Sequence, residues 1–378
     1  MSELLPIVID TNDPDAKKDT LDLLINSAVA SYATDIHIPH LGICYARRGN
    51  VLEPFINLNS GEPFEIFDAD FTKMLSILKF ERYASVSKRI IWGDKQLRVL
   101  YLSVPQQSRG GQEEILILRA QPLTPPPLAS CLPYPDVLQS LQNPHGLILV
   151  AGMIGAGKTT LAAGICSSWA SSGKHIFTVE DPIEYEIKAV NGRVTQLAAS
   201  LHATDISFEQ AAMLALRADI DGLFIGECRN ASTFKVVLDA AITHEPCITT
   251  IHAGGFADAI TRLVSFAQSF MSQNVAQFTI SQALHSILHV SLAYTDEGKP
   301  VPMVAVLPFW SDDNVRKILT DFDPVNLTDR IRTILRDNAI KGLVSYDMAA
   351  ATALAAGATQ ASIDAAKAYS PEVPSYYQ

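Results

Sequence analysis

The spacing of hydrophobic and polar positions changes character near residue 120. Before that point short alternating runs are mixed with two stretches of helical period. Residues 21–32 (LDLLINSAVASY) place apolar side chains at helical spacing, and residues 65–83 do the same. Residues 35–38 and 42–47 alternate as half-buried strands do. Residues 90–92, 97–104 and 114–119 predict three further strands, separated by Gly93-Asp94 and by 108–112. This mixture predicts a small α+β domain over residues 1–120. Residues 121–135 (QPLTPPPLASCLPYP) are rich in proline, which fixes φ and removes backbone donors, so an extended linker is expected rather than a helix.

From residue 136 onward continuous apolar runs take turns with helical stretches. Strands are predicted at 147–150, 174–179, 221–226 and 246–251, and helices at 161–169, 208–217, 231–243 and 256–266. Runs apolar throughout suit strands buried on both faces of a parallel sheet. Residues 278–288 and 301–307 continue this domain, residues 326–369 read as helical, and the closing SPEVPSYYQ reads as a loose tail. No internal repeat is present. The second domain therefore spans 136–378.

Composition narrows the class. The chain has 378 residues, of which 48% are hydrophobic and 18% charged, the ordinary range of a globular protein. Its 29 basic and 40 acidic residues give a formal net charge of −11, which weighs against a surface that binds nucleic acid by neutralising phosphates. The five cysteines, Cys44, Cys131, Cys166, Cys228 and Cys247, form no C-x-x-C pair, so neither a zinc site nor a redox couple is indicated, and they suit a reducing cytoplasm. The opening residues lack the basic and apolar regions of a secretory signal. Residues 146–166 are apolar enough to suggest a membrane span, but Lys158 would lie near its centre, where a charge is costly. Asp35, His37 and His40 could be imagined as metal ligands; they read more simply as polar positions on a strand and its turn.

The chemistry centres on residues 146–160, GLILVAGMIGAGKTT. Gly152, Gly155, Gly157, Lys158 and Thr159 fit G-x-x-x-x-G-K-[ST] between a predicted strand and a predicted helix, the order a phosphate-binding loop requires. Glycines let backbone N–H groups turn toward phosphate oxygens, and the helix N-terminus adds a favourable dipole. Gly152, Gly155, Ala156, Gly157, Lys158, Thr159 and Thr160 are the expected nucleotide-binding set, with Lys158 on the β- and γ-phosphates and the Thr159 hydroxyl on Mg²⁺. Hydrolysis further needs a group that orients water, a group that supports Mg²⁺ and a positive charge. Glu180, Glu227 and His252 stand at the carboxyl ends of successive predicted strands, where α/β sheets place ligands.

These segments resemble those of a known family. TVEDPIEY (178–185) is similar to the Asp box of the bacterial secretion ATPases, FIGECRN (224–230) to their Walker B segment, TTIHAGGFADAITRL (249–263) to their His box, and ALRAD (215–219) to the stretch before Walker B. YATDIHI (32–38) resembles the family's A-S-D-I-H segment, and Arg98, Arg109 and Arg119 match the arginines that the family's N-terminal domain brings to the nucleotide. The resemblance spans about residues 30–345. It implies a RecA-like P-loop ATPase domain preceded by a small PAS-like α+β domain, with ATP and Mg²⁺ as cofactors. By resemblance Glu180 is the catalytic carboxylate, Glu227 supports Mg²⁺ with Thr159, and His252 senses the γ-phosphate. Arg98, Arg109 and Arg119 are transition-state or sensor arginines, or ordinary strand-face ion pairs. Cys228 and Asn230 stand where the family often has Met and Asp.

The four-cysteine zinc insert usual in extension ATPases is missing from the sequence, and 314–319 (NVRKIL) is a distant echo of the retraction motif of PilT. The plan resembles the PilT-like ATPases of Dot/Icm-type secretion and conjugation. That class implies a homohexameric cytoplasmic ring at the inner-membrane face, working with secretion or pilus platform proteins and without direct nucleic-acid contact. A pilus-retraction motor, a nucleic-acid translocase and a nucleotide-gated scaffold are the alternatives.

Overall fold

A computed structural model describes residues 6–10, 19–49, 51–82, 86–93, 95–106, 111–199, 208–243, 246–337, 339–368, 370 and 372–373. The chain divides into two compact units, Met1–Leu123 with Tyr294–Pro300, and Thr124–Ala293 with Val301–Gln378.

The first unit contains β1 (Ile7–Ile9), α1 (Thr20–Ala30), β2 (Asp35–Pro39), β3 (Gly42–Ile43), β4 (Tyr45–Arg48), β5 (Val51–Asn57), β6 (Glu65–Ile66), α2 (Asp68–Ile77), β7 (Val86–Trp92), β8 (Lys95–Gln106) and β9 (Gly111–Pro122). Seven strands form one sheet in the order β1-β5-β4-β2-β9-β8-β7, and β3 pairs with β6. Asp19 caps α1, its side chain accepting from the Leu21 amide at 3.1 Å. Leu21, Leu24, Ile25 and Ala28 of α1 and Phe71, Met74 and Leu75 of α2 then join Leu97, Val99, Tyr101, Leu116 and Leu118 in one core. The helix expected over 65–83 is shorter. Glu65-Ile66 pairs with β3 instead, and Lys79 at φ +57° follows the helix end. The pattern missed β1, too short to show a period, and β5, which carries Pro54.

The proline-rich segment is not wholly extended. Leu128–Cys131 makes one helical turn, α3, and Pro135 opens α4 (Pro135–Ser140) at the first helical position, where its missing N–H costs nothing.

The second unit continues with β10 (Leu147–Gly152), α5 (Lys158–Ser171), β11 (His175–Glu180), β12 (Arg193–Ala198), α6 (Phe208–Ala215), β13 (Gly222–Ile225), α7 (Ala231–Thr243), β14 (Cys247–His252), α8 (Phe256–Gln268), α9 (Gln273–Ala283), β15 (Leu284–Tyr294), β16 (Pro300–Pro308), α10 (Asp313–Thr320), α11 (Leu327–Ile334), α12 (Tyr346–Ala355) and α13 (Gln360–Lys367). The sheet order is β12-β11-β13-β14-β10-β15-β16, with parallel pairing from β12 through β15. Every residue of β10 is buried. Leu147, Leu149 and Ala151 face a core shared with α7 and α8, while Ile148 and Val150 face one shared with α5, whose Trp169 is 1% exposed. The polar edge strand β12 was not anticipated. The loose tail is contradicted at Ser370 and Glu372, which are 4% and 3% exposed.

Candidate active site

The site grows from the carboxyl ends of four neighbouring parallel strands. Gly152 closes β10, and a Cβ there would lie 2.4 Å from the Val290 carbonyl oxygen, so only glycine fits so near β15. Gly157 caps α5 at φ +92°, in the left-handed region. Lys158 then begins the helix with 7% of its surface exposed. Its Nζ donates to the Met153 carbonyl at 2.9 Å and lies 3.1 Å from His252 Nδ1. Burial draws the ammonium pKa down to about 8, against the pull of Glu227 and Glu184, so it keeps its charge at neutral pH. Thr159 is half-buried in the first turn, and the Thr160 hydroxyl lies 2.9 Å from the Tyr185 hydroxyl.

His252 ends β14 and links two charged groups. Its Nε2 lies 3.1 Å from Glu227 Oε1. An ammonium only donates, so Nδ1 accepts from Lys158 and Nε2–H donates to the carboxylate, which assigns a neutral ring. Desolvation, followed by the Lys158 charge, lowers the pKa of His252 and favours that form. The paired threonines before it hold the neighbouring strand: Thr249 and Thr250 hydroxyls donate to the carbonyls of Ile225 and Gly226 at 2.8 and 2.6 Å. Glu227 follows those carbonyls, and its Oε2 accepts from Arg229 Nε at 2.6 Å. Arg229 also stands 3.9 Å from Asp181. Asn230 caps the next helix, its side chain accepting from the Thr233 amide at 2.8 Å.

Glu180 ends β11 and is 3% exposed. One carboxylate oxygen accepts from the Thr178 hydroxyl at 2.7 Å and from Gln196 Nε2 at 3.1 Å. Gln196 sits opposite Thr178 in the parallel register of β12 and also bonds the Tyr185 carbonyl and the Ile187 amide. Burial raises the Glu180 pKa despite these donors. A carboxylate held this way in a dry site suits proton transfer to or from a water molecule.

Lys158, Glu227 and His252 are thus bonded in one chain, and Glu180 ends the strand beside the one that leads to Glu227. Of the three expected arginines, Arg98 and Arg119 lie in the first unit. Arg98 and Arg119 are register partners across β8 and β9, with Arg89 opposite Arg98 on β7. Arg119 forks onto Asp35, with Nε and Nη2 at 2.9 and 3.1 Å, while Arg98 is exposed and makes no ion pair among the described residues. Arg109 lies outside the described residues. Reading the sequence missed Arg229, which stood in plain view beside Glu227, and Gln196, whose polar edge strand carries no periodic signal.

Residues 133–302 match the type II/IV secretion system protein family. Among the proteins the chain resembles, a twitching motility protein of Neisseria gonorrhoeae is 33% identical over 166 residues, 43% of this chain and 44% of that protein. A type II secretion system protein E of Pectobacterium carotovorum subsp. carotovorum is 32% identical over 172 residues, 44% of this chain and 32% of that protein. The chain therefore spans less than half the length of these curated relatives. The crystal structure of the Legionella pneumophila ATPase DotB superposes with a TM-score of 0.76 at 22% identity, over 95% of this chain and 98% of that one, which shows a common fold. No helix among the described residues is long and apolar enough to cross a membrane.

Proposed function

We propose that this chain is an ATP-hydrolysing motor of a type IV, Dot/Icm-like secretion or conjugation system, assembled as a homohexameric ring beside inner-membrane platform proteins. The observation that carries the ATPase reading is the bonded chain from phosphate-loop Lys158 through His252 to Glu227, with Glu180 buried at the same sheet edge. The loop amides and the start of α5 cradle phosphates, and Lys158 places its ammonium against the β- and γ-oxygens. Thr159 and Glu227 supply a hydroxyl and a carboxylate, the hard oxygen donors that suit Mg²⁺. When bound, that ion neutralises charge on the phosphates. Glu180 orients the attacking water and takes its proton. His252 stands between the lysine that meets the terminal phosphate and the carboxylate that supports the metal, so it can report which phosphate is present.

Type IV secretion or conjugation is preferred over other secretion because the overall plan follows DotB along nearly the whole chain. The twitching motility relative favours pilus retraction as the second reading. Phosphate release by the full chain tests the activity: steady turnover is expected, and Lys158→Ala should abolish it and weaken ATP binding. Equal turnover in wild type and Lys158→Ala would remove the ATPase reading.

A further inference from the structure

The segment after α13 bears on the site from the far end of the chain. Gly255 caps α8 without a side chain, so the first amides of that helix have no local acceptor from the capping position. Glu372 supplies one across 115 positions of sequence: its Oε1 accepts from the Ala257 amide at 2.6 Å. Its other oxygen lies 3.4 Å from the Tyr346 hydroxyl, and its backbone carbonyl accepts from Arg332 Nε at 3.3 Å. The first residue of α8, Phe256, packs in a ring triangle with Tyr346 and His289, at centroid separations of 5.4, 5.5 and 6.1 Å. His289 is 3% exposed on β15, opposite Ala151 at the end of the strand that leads into the phosphate loop. Only Ala253, Gly254 and Gly255 separate this assembly from His252. Within that short loop the Ala253 amide reaches back to the Gly152 carbonyl at 3.4 Å.

A buried carboxylate is a costly cap. Its pKa is raised by burial, the Ala257 amide and Arg332 opposing, so the site accepts the expense of a charge in a dry place. A serine or aspartate at position 255 would cap α8 from its own end of the helix, but it would not connect α8 to α11 and α12. The connection is what Glu372 adds.

We infer that Glu372 is a positioning residue for the nucleotide site, fixing the start of α8 so that the 252–255 loop holds His252 between Lys158 and Glu227. It touches neither nucleotide nor reacting water. It acts through the loop, and the inference rests on the ATPase reading above. Loss of the cap should leave phosphate-loop binding of ADP intact and impair the response to the γ-phosphate.

The test compares full-length Glu372→Ala, Glu372→Asp and Glu372→Gln with wild type. Glu372→Asp keeps the charge but withdraws the oxygen by one methylene, in a variant that leaves the space nearly filled. Glu372→Gln keeps an acceptor oxygen for the Ala257 amide. Removing a cap costs about tenfold in local opening, so hydrogen–deuterium exchange over 253–258 should rise about tenfold in Ala and Asp and little in Gln. In the same two variants kcat should fall about tenfold while the Kd for ADP stays within about twofold of wild type, and Gln should restore most of kcat. Unchanged exchange over 253–258 overturns the inference, and so does a lowered melting temperature with kcat, KM and the ATP-to-ADP preference unaltered. A wild-type protein that releases no phosphate removes the ATPase reading instead, and the exchange data still decide whether Glu372 holds the loop.

Discussion

Replacing Glu180 by glutamine should make the protein more stable and nearly inactive. Glutamine keeps Oε1 as an acceptor for Thr178 and Gln196, at 2.7 and 3.1 Å in the wild type, so neither donor is orphaned. These bonds and the one from the Glu184 backbone lose their charge assistance, a cost of about 1 kcal/mol each, or about 3 kcal/mol for the three. Against this stands the desolvation of a carboxylate with 3% exposure. The pKa of Glu180 is raised, which means burial disfavours the anion by more than its hydrogen bonds favour it. The neutral side chain is therefore the more stable occupant. A raised carboxylate pKa also sets the pH dependence. The folded chain binds the proton more tightly than the unfolded chain, so stability is lost as pH rises through the folded pKa and the loss is absent below about pH 4.5. The gain of Glu180→Gln should be largest at neutral pH and vanish in acid. Turnover should fall about 10²–10⁴-fold, which is about 3–5 kcal/mol of barrier, if Glu180 takes the proton of the attacking water. Denaturant unfolding at pH 7 and pH 4, with phosphate release at pH 7, measures both. A variant less stable than wild type at pH 7 would refute the electrostatic argument, and wild-type turnover would refute the catalytic one.

Glu227→Gln removes the charge that meets Arg229 and His252 while leaving Lys158 and the loop in place, so fluorescent-nucleotide titration should show ATP bound and phosphate release should be lost; lost ATP affinity would assign Glu227 to holding the loop. Arg98→Ala, at an exposed position without an ion pair among the described residues, should change stability by less than about 0.5 kcal/mol yet cut turnover about 10³-fold or more if Arg98 meets the transition state. Arg119→Ala should cost about 0–1 kcal/mol besides, from its half-exposed pair with Asp35; steady-state ATPase unchanged in both variants would leave these arginines to the sheet's own charge balance.

The parts of the fold that were legible in the sequence are those with a strong period or an unusual loop. The run 147–150 followed by G-x-x-x-x-G-K-T fixed β10, the turn and α5, because a fully buried strand and a glycine turn leave few other readings. Helix α7 has the bounds read from its pattern, Ala231–Thr243. The residues that aim the chemistry were less visible. Thr178 and Gln196 form a pair only through the register of β11 with β12, and β12 lies half-exposed at a sheet edge where polar residues need no alternation. Glu372 lies among prolines and small residues in a segment that reads as a tail, and its role depends on a helix start 115 positions earlier in the sequence. Arg119 was readable either as a nucleotide contact or as an ion pair, and its fork onto Asp35 shows the second interaction within the first unit.

The edge position of β12 has a consequence for the time dependence of the site. This strand is hydrogen-bonded on one side only, to β11, and none of its residues is fully buried. Edge strands of this kind open locally far more often than the whole domain unfolds. Each opening carries Gln196 away from Glu180 Oε1, from the Tyr185 carbonyl and from the Ile187 amide together, since one side chain makes all three bonds. The carboxylate then keeps the Thr178 hydroxyl and the backbone of Glu184 but loses the group that ties it to the neighbouring strand. The lifetime of the full set of bonds to Glu180 is thereby tied to the pairing of a peripheral strand, and amide exchange in β12 becomes a clock against which turnover can be compared.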